Sequence, residues 1–138
     1  MTQKDKYLLL RDLCARLPYE VILQVGIFDN GIIKYHNEKL DYHSKLLSLV
    51  ELDGGYYFHG QLCKYSQFTS KPYLRPMSSM TEEEYKELKQ VALVDNEGVP
   101  GDIPAYIDWL NAHHFDYRGL IEKGLAIEVT KENNPYKE

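Results

Sequence analysis

The chain has 138 residues, 43% hydrophobic and 27% charged, with a formal net charge of −5. That is enough apolar material for one domain of ordinary size. No apolar run approaches the roughly 20 residues of a membrane helix, the net charge argues against broad coating of nucleic acid, and two cysteines, Cys14 and Cys63, are too few for a disulfide framework.

The first 17 residues, MTQKDKYLLLRDLCARL, predict a helix over 4–17. Leu10, Leu13, Cys14 and Leu17 fall at i, i+3, i+4 and i+7, and Tyr7 extends that stripe by a turn. Cys14 is therefore expected to be packed. Pro18 ends the helix by forcing its predecessor out of helical geometry. Arg11 and Asp12 interrupt the apolar run, so it lacks the continuous core of a secretion signal. With few cysteines, this leads to an expectation of a reduced, cytoplasmic setting.

Val21, Leu23, Val25 and Ile27 alternate with Ile22, Gln24, Gly26 and Phe28, and that period, with β-branched Val21, Ile22, Val25 and Ile27, predicts a strand. Asn30-Gly31 is a tight-turn signal, and Ile32, Ile33 and Tyr35 begin the returning strand. HNEKLDYHSK then reads as a polar loop. A second hairpin is expected from strands 46–52 and 56–62 with Asp53-Gly54-Gly55 between them.

In KPYLRPMSSMTEEE, residues 71–84, Thr81 and Glu84 form a capping box. Met80 and Tyr85 are placed to staple it. Glu82 and Glu83 suit the positive helix end. A helix over 82–92 follows. Asp102 and Pro104 open another at 103–112, with Tyr106, Ile107 and Leu110 on one face. Asp116 is expected to cap a short helix over 117–123, and Gly124 to stop it. LAIEV is a candidate last strand that pairs back onto the sheet.

The expected fold class is α+β: an N-terminal helix, a small antiparallel sheet of four to five strands, then short C-terminal helices. Such a sheet can curl into an SH3-like barrel. Residues 1–130 read as a single domain and 131–138 as a flexible polar tail.

Three kinds of chemistry have weak signals. His59 and Cys63, with His36 and His43 upstream, are zinc-type ligands. On one strand, however, positions 59 and 63 lie about 13 Å apart. His113, His114, Asp116 and Tyr117 cluster at an interhelix turn, where a carboxylate-oriented histidine could act as a base. Asp116 as a plain helix cap is the simpler reading. Phosphate-loop motifs are absent, and no cofactor is expected.

The charge distribution says more. Residues 54–81 contain no Asp or Glu, but they hold Lys64, Lys71 and Arg75 among six aromatic residues. From Glu82 onward acids outnumber bases 13 to 6. Nucleobases stack on Tyr, and phosphates pair with Lys or Arg. Lys71, Tyr73 and Arg75, alternating on an extended segment, are therefore candidate ligand-binding residues. Tyr117 and Arg118 repeat the combination. The competing reading is that these tyrosines complete the core and cover its rim, and that Arg75 ties the loop to a helix C-terminus.

KPYLRPMSSMTEEE at 71–84 and IDWLNAHHFDYRGLIEKGLAIEV at 107–129 resemble segments of small proteins encoded by phages and prophages of gut anaerobic bacteria. RLPYEV at 16–21 also fits, while residues 29–66 depart freely. No catalytic residues are established for that group, so the resemblance implies none here. It implies a phage accessory protein acting in the host cytoplasm. Proteins of that kind often counter host defence, some as oligomeric sponges for nucleotide signals. The leading expectation is thus a homo-oligomeric binder that sequesters a small anionic, nucleotide-type ligand without turnover. Its alternatives are a protein-interaction module that inhibits a host protein, a hydrolase using His113 or His114 with Asp116, and a sequence-tolerant nucleic-acid binder. Arg75→Ala is expected to abolish ligand retention and leave the fold intact.

Overall fold

A computed structural model describes residues 2–29, 32–40, 56–58, 61–63 and 68–137. Expectations for the Asn30-Gly31 turn, the 46–52 strand and the Asp53-Gly54-Gly55 turn lie outside these residues.

Helix α1 (Gln3–Arg16) starts at a capping box. Asp5 N donates to Thr2 Oγ1 at 3.0 Å, and Thr2 N donates to Asp5 Oδ2 at 3.2 Å. A single 3₁₀ turn (Leu17–Tyr19) carrying Pro18 follows it. The buried face is Leu9, Asp12, Leu13 and Arg16, not the expected Leu10, Leu13, Cys14 and Leu17. The helix is rotated about its axis, so Cys14 and Tyr7 are exposed. The reason is chemical. Asp12 and Arg16 stand one turn apart and pair at 2.8 Å, so both can enter the interior. A purely apolar periodicity scores them as solvent-facing.

Strands β1 (Ile22–Asp29) and β2 (Ile32–Lys39) pair antiparallel from Ile22↔Lys39 to Asp29↔Ile32. The ladder therefore runs through His36 to Lys39, where a polar loop was expected. Strands β3 (Tyr56–Phe58) and β4 (Gln61–Cys63) pair with each other. The expected single strand 56–62 is instead two strands. Strand β5 (Phe68–Pro76) lies antiparallel to β1. A 3₁₀ turn (Met77–Ser79) follows it, then α2 (Glu82–Ala92) and α3 (Ile103–Ala112). Both helices carry the expected caps at Thr81 and Asp102.

Two short strands complete the sheet parallel to β5: β6 (Phe115–Asp116), against Arg75 and Pro76, and β7 (Ile127–Glu128), against Tyr73 and Leu74. The sheet is thus mixed, in the order β2-β1-β5-β6, with β7 also on β5. Among the described residues it is open and does not close into a barrel. The α+β class stands.

The expected helix over 117–123 is replaced by turns. Both of its end signals still operate. Asp116 accepts bonds from Leu120 N and Ile121 N, each at 3.0 Å. Leu125 N returns to Leu120 O and Gly124 N to Ile121 O, with Gly124 at φ +74. This is the closing pattern of a helix C-terminus without the helix. Gly119, at φ +76 inside the segment, removes the helical geometry between them.

One core packs α1 on the sheet, joining Leu9 and Leu13 to Val21, Leu23, Val25, Leu40, Leu74, Leu120 and Leu125. A second joins α2 and α3 through Leu88, Ala92, Trp109, Leu110 and Phe115. The C-terminal segment is docked at Tyr136. Its hydroxyl donates to Tyr73 O at 2.8 Å and accepts from Ile22 N at 2.9 Å. Burial pushes that hydroxyl's pKa well above the usual tyrosine value.

Tyr136→Phe leaves the Ile22 N–H without its acceptor and should lower stability by about 1–3 kcal/mol in urea unfolding. Leu93, the C-cap of α2, sits at φ +53 and is 67% exposed. Leu93→Gly removes the left-handed penalty and should raise stability by about 1 kcal/mol, read by the same unfolding curves.

Candidate functional site

The five candidate residues fall into two separate places. Tyr73 is 3% exposed and belongs to the core. Its hydroxyl donates to Asn37 Oδ1 at 3.0 Å and accepts from Gln24 Nε2 at 3.3 Å. It has no ring face for a base to stack on. Lys71 is half-buried, opposite Gln24 on β1.

Arg75 is held on several sides. Its Nη1 and Nη2 meet the two carboxylate oxygens of Glu84 at 2.7 and 2.8 Å. Nη2 also donates to Ser79 O and Nε to Ser79 Oγ, and the guanidinium lies 4.2 Å from the centre of the Phe115 ring. Glu84 Oε1 in turn accepts from Thr81 N, within the capping box. The bidentate fork therefore pins the end of β5 to the first turn of α2. Hydrogen bonds from Arg75 hold the Glu84 carboxyl down to a pKa of about 2.

Tyr117 and Arg118 stand beside α1. The Tyr117 hydroxyl donates to Asn111 Oδ1 at 2.8 Å, and Arg16 and Arg118 lie 5.3 and 4.9 Å from its ring centre. Arg118 Nη1 donates to the buried Asp12 at 3.1 Å. That bond carries Arg118 to the wall of a groove of about 530 Å³, between α1 and the 116–125 turn.

The groove is lined by Lys4, Asp5, Tyr7, Leu8, Arg11, Arg118 and Lys123. Lys4, Tyr7 and Arg11 lie on the outward face of α1, at i, i+3 and i+7. Tyr7 is 63% exposed, with the Arg11 guanidinium 5.8 Å from its ring centre. Four cationic side chains face one carboxylate, Asp5. That carboxylate is committed to Thr2, whose hydrogen bonds, aided by the nearby Lys123 charge, keep its pKa low. The groove thus offers an accessible ring flanked by positive charge, the combination that holds a base and its phosphates.

Of these residues, only Arg118 was among the sequence candidates. The others were hidden by helix phase: placing Tyr7 on the buried stripe removed it from consideration. Aligning α1 on Leu9, Asp12, Leu13 and Arg16 would have exposed Lys4, Tyr7 and Arg11 together.

The other candidate chemistries place as follows. Among the described residues no group of three His, Cys, Asp or Glu could hold a metal ion. His43 and His59 lie outside those residues. Asp116 bonds backbone amides, so its carboxylate is a turn cap and not the orienting partner of His113 or His114. No protein-family model, curated protein or solved structure matches this chain.

Arg75→Ala should destabilise the fold by about 2 kcal/mol, because it leaves the largely buried Glu84 carboxylate without its partner. That is at odds with the sequence expectation of an intact fold. The pH dependence has a definite sign. Glu84 is depressed from 4.5 to about 2, so its contribution is full above 4.5 and is lost as pH falls through 2. The stability gap between wild type and Glu84→Gln should therefore close in unfolding curves taken down that interval.

Proposed function

We propose that the protein binds and sequesters a small anionic, nucleotide-type ligand without turnover, in the groove between α1 and the 116–125 turn. The observation that carries this reading is the exposed Tyr7 ring set among Lys4, Arg11, Arg118 and Lys123, with the lone carboxylate already bonded to Thr2. The ring supplies sequence-tolerant stacking, and the cations neutralise phosphates. A net charge of −5 disfavours a long polyanion and suits a ligand of few charges.

The biological setting is part of the proposal. The resemblance of 71–84 and 107–129 to phage-encoded proteins supports an anti-defence accessory role in the host cytoplasm, acting as a homo-oligomer. Among the described residues no helix is long and apolar enough to cross a membrane. A second reading, direct inhibition of a host protein, draws support from an apolar groove of about 510 Å³ on α2, where Met77, Met80, Tyr85, Leu88 and Tyr106 meet. Methionine-rich surfaces adapt readily to partners.

Isothermal titration with ATP tests the leading reading, with inorganic tripolyphosphate as the ring-free control. ATP should saturate one site per chain and be recovered intact after long incubation. Tyr7→Ala should weaken ATP about tenfold and leave tripolyphosphate unchanged. Arg11→Glu should weaken both. An ATP response that is absent, or indifferent to Tyr7, removes the assignment, and a hydrolysed product would make the protein an enzyme.

A further inference from the structure

The paired histidines at the end of α3 are not used by the α1 groove, yet their surroundings are unusual. His114 is a non-glycine residue at φ +64, in the left-handed region that L side chains seldom adopt. It stands where helices commonly place glycine. Its backbone is locked from two sides: its N–H donates to Asn111 O, and its carbonyl accepts from Arg75 N at 2.8 Å. Its ring stacks on Tyr136, with centroids 3.9 Å apart and planes 9° from parallel. A side chain held rigidly in a strained backbone is a recognised mark of a functional position.

The polar atoms here are also incompletely matched. Three buried side-chain nitrogens have no hydrogen-bond partner among the described residues: His114 Nδ1, Arg16 Nη1 and Trp109 Nε1. Of the three, His114 belongs to this corner. The Arg16 charge acts on its ring, and the Trp109 ring lies tilted by 32° against His113, with centroids 3.9 Å apart. Buried polar groups are seldom left unpaired, because desolvation then goes uncompensated.

These residues border a cleft of about 440 Å³ between the end of β5, the α3–β6 junction and the C-terminal segment. Among the described residues its lining includes Arg75, His113, His114, Asn134, Tyr136 and Lys137, and no carboxylate. We propose that this cleft is a second binding site, independent of the α1 groove, for a small oxyanion that engages His114.

The charged and titratable neighbours come from every element around the ring. They are Arg16 with its partner Asp12 from α1, Arg75 with its partner Glu84 from β5 and α2, His113 from the end of α3, and Tyr136 and Lys137 from the C-terminal segment. Burial first, then the charges of Arg16, His113 and Arg75, hold the His114 pKa down to about 4. The ring is therefore neutral at pH 7. An oxyanion in the cleft offsets the surrounding positive charge and favours the imidazolium. Ligand and proton then enter together, so binding strengthens as pH falls from 7 toward the free-state value.

NMR of the histidine and tyrosine ring signals, with inorganic sulfate as the probe, tests this on the whole chain. Sulfate keeps a fixed charge over the range used, so any pH dependence belongs to the protein. Acetate tests whether a carboxylate serves as well, and sodium chloride at matched ionic strength controls for screening. The His114 ring signals should move saturably with sulfate, and the Tyr7 ring signals should not. Affinity should be about tenfold or more tighter near pH 5.5 than near pH 7.5. His114→Asn keeps a residue that tolerates the left-handed backbone and should abolish the response at the remaining His113. The wild-type titration decides the matter even if that variant loses its fold. A non-saturable response, equal affinity at both pH values, or an effect reproduced by chloride would overturn the proposal. Loss of ATP binding with sulfate binding retained would remove only the α1-groove reading.

Discussion

Arg16 is the residue on which the rest of the architecture depends. Its side chain is fully buried. Nε is paired with Asp12 at 2.8 Å, and Nη2 donates to the carbonyl of Phe115, 99 residues away in sequence, at 2.6 Å. Leu9 and Leu13, its neighbours on α1, belong to the core beneath the sheet, and Phe115 belongs to the core between α2 and α3. One guanidinium thus joins the two hydrophobic clusters. Its desolvation is costly, and Asp12, a backbone carbonyl and the face of Tyr117 offset it only in one arrangement. The pair acts mainly as a selector of geometry: any other rotation of α1 would part Arg16 from the Phe115 carbonyl and Asp12 from Arg118.

That selection has a consequence on the opposite side of the helix. With Asp12 and Arg16 turned inward, Lys4, Tyr7 and Arg11 are turned outward. Asp12 keeps its second oxygen for Arg118, which draws the 116–125 turn against α1 and closes the groove. The cationic surface is therefore a by-product of a buried ion pair. A chain of net negative charge can in this way present a local positive site without a basic composition.

The Arg75–Glu84 fork performs the corresponding task at the other core. It fastens the end of β5 to the start of α2, and Arg75 N fixes the strained His114 carbonyl. Tyr136 then closes over His114 and caps the start of β1 through Ile22. Two arginines that look alike in sequence thus act as structural ties, while the α1 groove is lined by more exposed cations.

Local patterns were legible in the sequence wherever short-range chemistry decides. The capping box at Thr81, the Asp102 cap, the β1 alternation, the Asp116 cap and the Gly124 stop all follow from side chains within a few residues of the backbone groups they serve. The mixed order of the sheet, the inward turn of Arg16, the burial of Tyr73 and the docking of Tyr136 were not legible, because their partners lie 36 to 114 residues away. The candidate groove falls on the same divide. Sequence composition alone indicated that aromatic and basic residues mix and that an anion could be their partner. Only the tertiary structure decided which of them face solvent, since that depends on a buried charge pair whose further partners, the Phe115 carbonyl and the Arg118 guanidinium, come from the far end of the chain.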